Sequence, residues 1–74
     1  MDYKEHIEID PTVRFGRPCI KGTRISVDDV LGWLASGMTY EEILIDFPQL
    51  NHDNILACLA YAADKERKVK IITS

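Results

Sequence analysis

The chain has 74 residues, of which 46% are hydrophobic and 28% charged, with four Gly, three Pro and a formal charge of −3. Such a composition excludes a disordered tail, a collagen-like repeat and a membrane-spanning run of ~20 apolar residues, and leaves room for one small domain. A domain this short buries only about 60% of its unfolded surface, so its core calls for a disulfide, a metal or a partner chain.

Neither of the first two helpers is written in the sequence. Cys19 and Cys58 make no disulfide framework, and with His6 and His52 they form no C-x-x-C or H-x-x-x-H spacing. No metal and no cofactor are expected. Residues 1–6 are polar and acidic, unlike a secretory signal, and a reducing cytoplasm is the expected location.

Charge is parcelled into blocks. Residues 1–27 carry five cations against four acids, and residues 11–27 hold Arg14, Arg17, Lys21 and Arg24 with no acid. Residues 28–64 carry seven acids and no Lys or Arg, and residues 65–74 four cations against Glu66. A polyanion would meet the first or last block, not the middle.

The N-terminal texture is that of short extended segments. Ile7-Glu8-Ile9 and Val13-Arg14-Phe15 alternate as strands do, separated by the turn signals Asp10-Pro11 and Gly16-Arg17-Pro18. Cys19 to Ile25 reads as a strand, a tight turn at Lys21-Gly22 and a second strand. Gly16 and Gly22 suit positive φ in turns. A two-stranded hairpin is marginal alone, so this arm must pack on the helices or pair with another copy.

One start signal then appears three times: Ile25-Ser26-Val27-Asp28-Asp29-Val30, Met38-Thr39-Tyr40-Glu41-Glu42-Ile43 and Leu50-Asn51-His52-Asp53-Asn54-Ile55. Each has a capping Ser, Thr or Asn, an Asp, Glu or Asn three places on, and flanking apolar residues placed for a hydrophobic staple. Reach-back by the third residue is expected to be full for Glu42 and weaker for the shorter Asp29 and Asn54. Acids in the first turns suit the helix dipole. Gly37 closes the first helix, Pro48 the second, and the third is expected to end near Arg67 on basic residues. Core stripes are read as Val27, Val30, Leu31 and Leu34; Ile43, Leu44 and Phe47; and Ile55, Leu56, Leu59, Ala60 and Ala63. Trp33, Ile45, Cys58 and Tyr61 fall off or at the margins of these stripes.

The predicted fold is mainly α: a β arm over 1–25, a three-helix bundle over 26–67 and a basic tail over 68–74, in one domain. The helices near 39–47 and 51–65 form a helix-turn-helix unit.

The string Gly16-Arg17-Pro18-Cys19-Ile20-Lys21-Gly22-Thr23-Arg24-Ile25 is distinctive. It is followed by Gly37-Met38-Thr39-Tyr40-Glu41-Glu42-Ile43, by Phe47-Pro48-Gln49-Leu50-Asn51 and by the Ala-rich helix. Over about residues 7–65 the chain resembles the domain-of-unknown-function 433 family of small prokaryotic proteins. The resemblance implies a homeodomain-like three-helix unit with an N-terminal strand arm. It also implies an antitoxin-like protein of a toxin-antitoxin pair, with a PIN-like nuclease toxin as partner and repression of its own operon.

The residues themselves shape these expectations. A recognition helix usually carries Arg, Lys, Gln or Asn toward base edges. The third helix offers only Asn51, His52 and Asn54 near its start, beside Asp53. Arg14, Arg17, Lys21 and Arg24 are therefore the DNA-binding candidates, carried on a ribbon. Two roles stay open for Arg17 and Arg24: binding phosphates or partner carboxylates, or bonding Asp28, Asp29 and backbone carbonyls to fix the arm. Trp33, Ile45 and Tyr61 are the interface candidates for a homodimer or higher oligomer, with a plain core role open for Trp33 and Tyr61. No nucleophile-base arrangement is recognisable, and so short a chain leaves little volume for a pocket of ~300 Å³. The expected protein is not an enzyme. A stand-alone DNA-binding regulator and a bare oligomerisation module are the alternatives.

Overall fold

All three helices begin on their predicted caps in the computed structural model, which describes the backbone of residues 1–73 and the side chains of residues 1–67. Helix α1 spans Val27–Ala35, α2 Tyr40–Asp46 and α3 His52–Thr73. The hydroxyl of Ser26 accepts the Asp29 N–H at 3.0 Å, and Asp29 Oδ2 accepts the Ser26 N–H at 3.1 Å. Thr39 and Glu42 repeat the exchange at 3.1 and 3.0 Å, and Asn51 and Asn54 at 2.9 Å in both directions. The shorter Asp29 and Asn54 thus reach back as fully as Glu42. The staple residues Val30, Ile43 and Ile55 are completely buried.

Helix α1 ends in a Schellman motif. Gly37 takes φ +100, its N–H donates to Leu34 O at 3.1 Å, and the Met38 N–H donates to Trp33 O at 3.1 Å. Across Phe47-Pro48-Gln49-Leu50-Asn51 the chain turns from α2 into α3, with the Leu50 N–H on Phe47 O at 3.0 Å. No Gly or Pro follows Pro48, so nothing in the sequence stops α3 near Arg67, and its backbone stays helical to Thr73. The expected basic side chains of a 68–74 tail lie outside the described residues.

The N-terminal arm packs on the helices. Strands β1 (Ile7–Glu8) and β2 (Cys19–Ile20) pair antiparallel, Ile7 opposite Ile20 and Glu8 opposite Cys19. Ile7, Cys19 and Ile20 are buried in the core with Val27, Val30, Ile43, Leu50, Ile55, Ala57 and Cys58. A 3-10 turn at Tyr3–Glu5 fastens the chain start to α3: the Tyr3 hydroxyl donates to Asp64 Oδ2 at 2.6 Å, and its ring meets Tyr61 edge-on at 5.4 Å. That hydrogen bond, with burial and the carboxylate charge, holds the Tyr3 phenol above its ordinary pKa. Burial pushes the Cys58 thiol up to about 11, which suits an inert core residue.

Two parts of the arm differ from the sequence expectation. Val13-Arg14-Phe15 is no strand: Arg14–Gly16 is a 3-10 turn with φ +50 at Arg14, +58 at Phe15 and +80 at Gly16. The expected strand before Ser26 shrinks to a single antiparallel bridge, Cys19 to Ser26. Thr23 is the reason. Its hydroxyl donates to Ile20 O at 2.8 Å and accepts the Ile25 N–H at 3.0 Å, curling the segment into the turn at Gly22, φ +77.

Candidate functional site

The four candidate cations divide by role. Arg14 is drawn inward, where its Nη1 donates to Arg24 O at 2.9 Å and to Asp29 Oδ2 at 3.1 Å. That oxygen is the one that caps α1, so Arg14 ties the arm to a helix start. Arg17, Lys21 and Arg24 are exposed. Arg17 lies 4.0 Å from Asp28 Oδ2, a solvent-exposed pair that holds it only loosely. The Lys21 N–H donates to His6 O at 2.8 Å, which fixes its backbone and leaves the side chain in solvent. Of the four candidates, three therefore face outward and one is structural.

Next to the inward Arg14, and two residues before the outward Arg17, the chain carries an aromatic. Phe15 is 102% exposed, the most exposed large apolar side chain among the described residues. Read as part of a strand, it gave no signal. The clue in the sequence was an aromatic set between Arg14 and Gly16, where a turn displays it rather than buries it.

Two of the three interface candidates face inward. Trp33 is half-buried and stacks on Phe47 with centroids 4.2 Å apart and planes 11° from parallel, joining α1 to the end of α2. Tyr61 is half-buried against Tyr3, with Lys65 Nζ 5.3 Å from its ring. Ile45 alone of the three stands out, 76% exposed beside the exposed Glu41, Glu42 and Asp46 of α2.

Helix α3 is turned the other way from its predicted stripe. Ile55, Ala57 and Cys58 are buried, whereas Leu56, Leu59 and Ala63 are exposed. With Ala60 they form an apolar outer strip at i, i+3, i+4 and i+7. A helix apolar on two faces carries two stripes, and packing against α1 and the arm selects the one through Ile55, Cys58 and Tyr61. The outer face of α3 lacks the cations and amides that a base-reading helix needs.

Two open surface grooves flank α3. One, of about 460 Å³, runs between Arg17, Val27, Asp28 and Leu31 on one side and Tyr61 and Lys65 on the other. The second, of about 470 Å³, lies among Met1, Tyr3, Ala60, Ala63 and Arg67. Both exceed the volume expected of so short a chain. Among the described residues no group of three or more His, Cys, Asp or Glu is placed to hold a metal ion, and no helix is long and apolar enough to cross a membrane.

The architecture is that of a small three-helix bundle with a helix-turn-helix pair and an N-terminal strand arm. Residues 7–62 match the family described as protein of unknown function (DUF433), and the chain belongs to that family. It is similar to the crystal structure of a DUF433 member protein from Anabaena variabilis ATCC 29413, at 26% sequence identity and a TM-score of 0.78. The match covers 86% of this chain and 63% of that one, so the chain spans under two thirds of that relative's length. Among curated proteins, none matches the chain.

Proposed function

We propose that this protein acts by binding rather than catalysis, as the antitoxin-like member of a toxin-antitoxin pair. It holds a basic, PIN-like toxin on its acidic helical surface and operator DNA on its arm. The observation that carries the reading is the separation of exposed charge. Arg17, Lys21 and Arg24 point outward on the arm, while Glu41, Glu42 and Asp46 surround the bare Ile45 on α2. An apolar anchor ringed by acids fits a protein with a basic rim, and complementary fields select and speed such an encounter. Part of the remaining acidity has a local task, since Asp29 closes a capping box and Asp64 accepts the Tyr3 hydroxyl.

The test has two arms. Calorimetry with the protein encoded next door should give binding at micromolar concentration or tighter, and Ile45→Asp should weaken it. Gel shifts with the chain's own upstream DNA should weaken as salt rises, because phosphate contacts release counterions. Arg17→Ala with Arg24→Ala should remove about two contacts from the salt slope while the fold survives. DNA binding without a protein partner would make the protein a stand-alone regulator. Neither binding event would reduce it to an oligomerisation module.

A homodimer belongs to the same proposal, and its seam is the outer strip of α3. Two antiparallel copies of α3 set Leu56 of one against Ala63 of the other, and Leu59 against Ala60. Large side chains thus meet small ones, and the Asp53 end of each helix meets the Arg67 end of its mate. Leu59→Glu leaves the core untouched and places a carboxylate in this seam at a cost of ~2 kcal/mol or more. Light scattering should then give the monomer mass for Leu59→Glu and the dimer mass for the parent chain. Equal masses would remove α3 from the interface.

A further inference from the structure

At the tip of the arm three consecutive residues occupy the left-handed backbone region, Arg14 at φ +50, Phe15 at +58 and Gly16 at +80. Glycine goes there freely, but a bulky aromatic does not. The turn is held by a ladder of backbone bonds: Val13 N–H to Asp10 O at 2.9 Å, Gly16 N–H to Val13 O at 3.1 Å and Arg17 N–H to Arg14 O at 3.2 Å. Asp10 is tied in by the N–H and hydroxyl of Thr12, at 2.9 and 2.7 Å. From inside, the Arg14 guanidinium pins the turn to Arg24 O and Asp29. All this order holds an aromatic ring wholly in water, 102% exposed. The ring adds nothing to the core, and its backbone is strained. Strain that persists with no packing return is a mark of a displayed, functional group.

We propose that Phe15 is a stacking wedge for nucleic acid, its ring laid against the face of a nucleobase while Arg17, Lys21 and Arg24 hold the flanking phosphates. The inference rests on the DNA reading of the arm and names the group that contacts bases. The surroundings favour a nucleic acid over a protein pocket. Residues 11–27 contain four cations and no acid. Of the carboxylates beside the turn, Asp10 is engaged by Thr12, Asp29 by Ser26 and Arg14, and Asp28 only loosely by Arg17, which leaves Arg17, Lys21 and Arg24 exposed. Apolar wedges beside cations unstack base steps, and exposed aromatics on basic surfaces stack unpaired bases. The turn fixes the backbone that carries the ring before binding, so only side-chain freedom is lost when the ring inserts. The outer face of α3, apolar from Leu56 to Ala63, leaves base contact to the arm.

The test uses the full chain with duplex and single-stranded oligonucleotides of equal length from its upstream region. Each carries fluorescein for anisotropy and, in a second set, 2-aminopurine to report unstacking. Phe15→Ala should weaken binding about tenfold or more, leave the salt slope unchanged and abolish the 2-aminopurine signal. Phe15→Trp should restore both. Thermal melts should place Phe15→Ala no lower than the parent chain, because the ring covers nothing. Tighter binding of the single strand would mark unpaired bases as the ligand, and tighter binding of the duplex a kinked step. Equal DNA affinity of Phe15→Ala and the parent chain would overturn the wedge and leave the arm reading standing. So would the loss of a protein partner by Phe15→Ala at unchanged DNA affinity. A parent chain that binds neither oligonucleotide at low salt would overturn both.

Discussion

Ile55→Ala is expected to lower the unfolding free energy by about 2–5 kcal/mol, through lost burial and the cavity left behind. Ile55 is completely buried, sits in the first turns of α3 and packs with Leu50, which is 6% exposed. It belongs to the core that also takes in Ile7 and Ile20 from the arm. A domain of 74 residues has a total stability of roughly 4–11 kcal/mol at ~0.05–0.15 kcal/mol per residue. One truncation therefore consumes a large share of what holds the fold. Ile55→Val keeps most of the volume and should cost about 0.5–1.5 kcal/mol. Urea titrations of the three proteins, followed by far-ultraviolet circular dichroism, check the ranking. An alanine variant less than about 1 kcal/mol below its parent would mean that α3 is anchored elsewhere.

Why Ile55 was legible and its neighbour Leu56 was not is a matter of range. The three helix starts are local devices, complete within six residues, and Ser26, Thr39 and Asn51 with their partners Asp29, Glu42 and Asn54 announce them without tertiary information. Gly37 is equally local, since the left-handed residue after α1 needs a glycine. The buried side of α3 is not local. Ile55 stands at the border between its two apolar stripes, and only contact with α1 and the arm chooses Cys58 and Tyr61 over Leu56 and Leu59. The tip of the arm escaped for a related reason. Arg14 adopts its turn through bonds to Arg24 and Asp29, ten and fifteen residues on, which no alternation over three residues contains. Trp33, off the predicted stripe of α1, found its partner in Phe47 beyond the end of α2. The candidate site was legible as a set of cations. Which of them is structural, and that Phe15 stands among them, came from the fold.

Asp29→Ala should cost about 2–3 kcal/mol and loosen the arm as well as the helix. Its Oδ2 accepts both the N–H of Ser26 and Nη1 of Arg14, each at 3.1 Å. Ser26 is 1% exposed, so the alanine variant leaves its N–H buried without an acceptor, and it also frees Arg14 from the helix start. Asp29→Asn keeps an oxygen for the Ser26 N–H and loses the charge, so it should fall between the variant and the parent. The pH dependence follows from the same contacts. Burial acts to raise the Asp29 pKa, but the hydrogen bonds from Ser26 and the charge and hydrogen bond of Arg14 outweigh it and hold the carboxyl below its ordinary value. A carboxyl depressed in the folded state stabilises the fold above its unfolded pKa of about 3.9, and that contribution fades as pH falls through the folded value. Asp10, depressed by the Thr12 hydroxyl and N–H, acts in the same direction at the base of the Phe15 turn. The stability gap between the parent chain and Asp29→Ala should therefore be full at pH 7 and narrow below about pH 4. A gap that stays constant from pH 7 to pH 3 would show that the carboxylate charge plays no part in joining arm to helix.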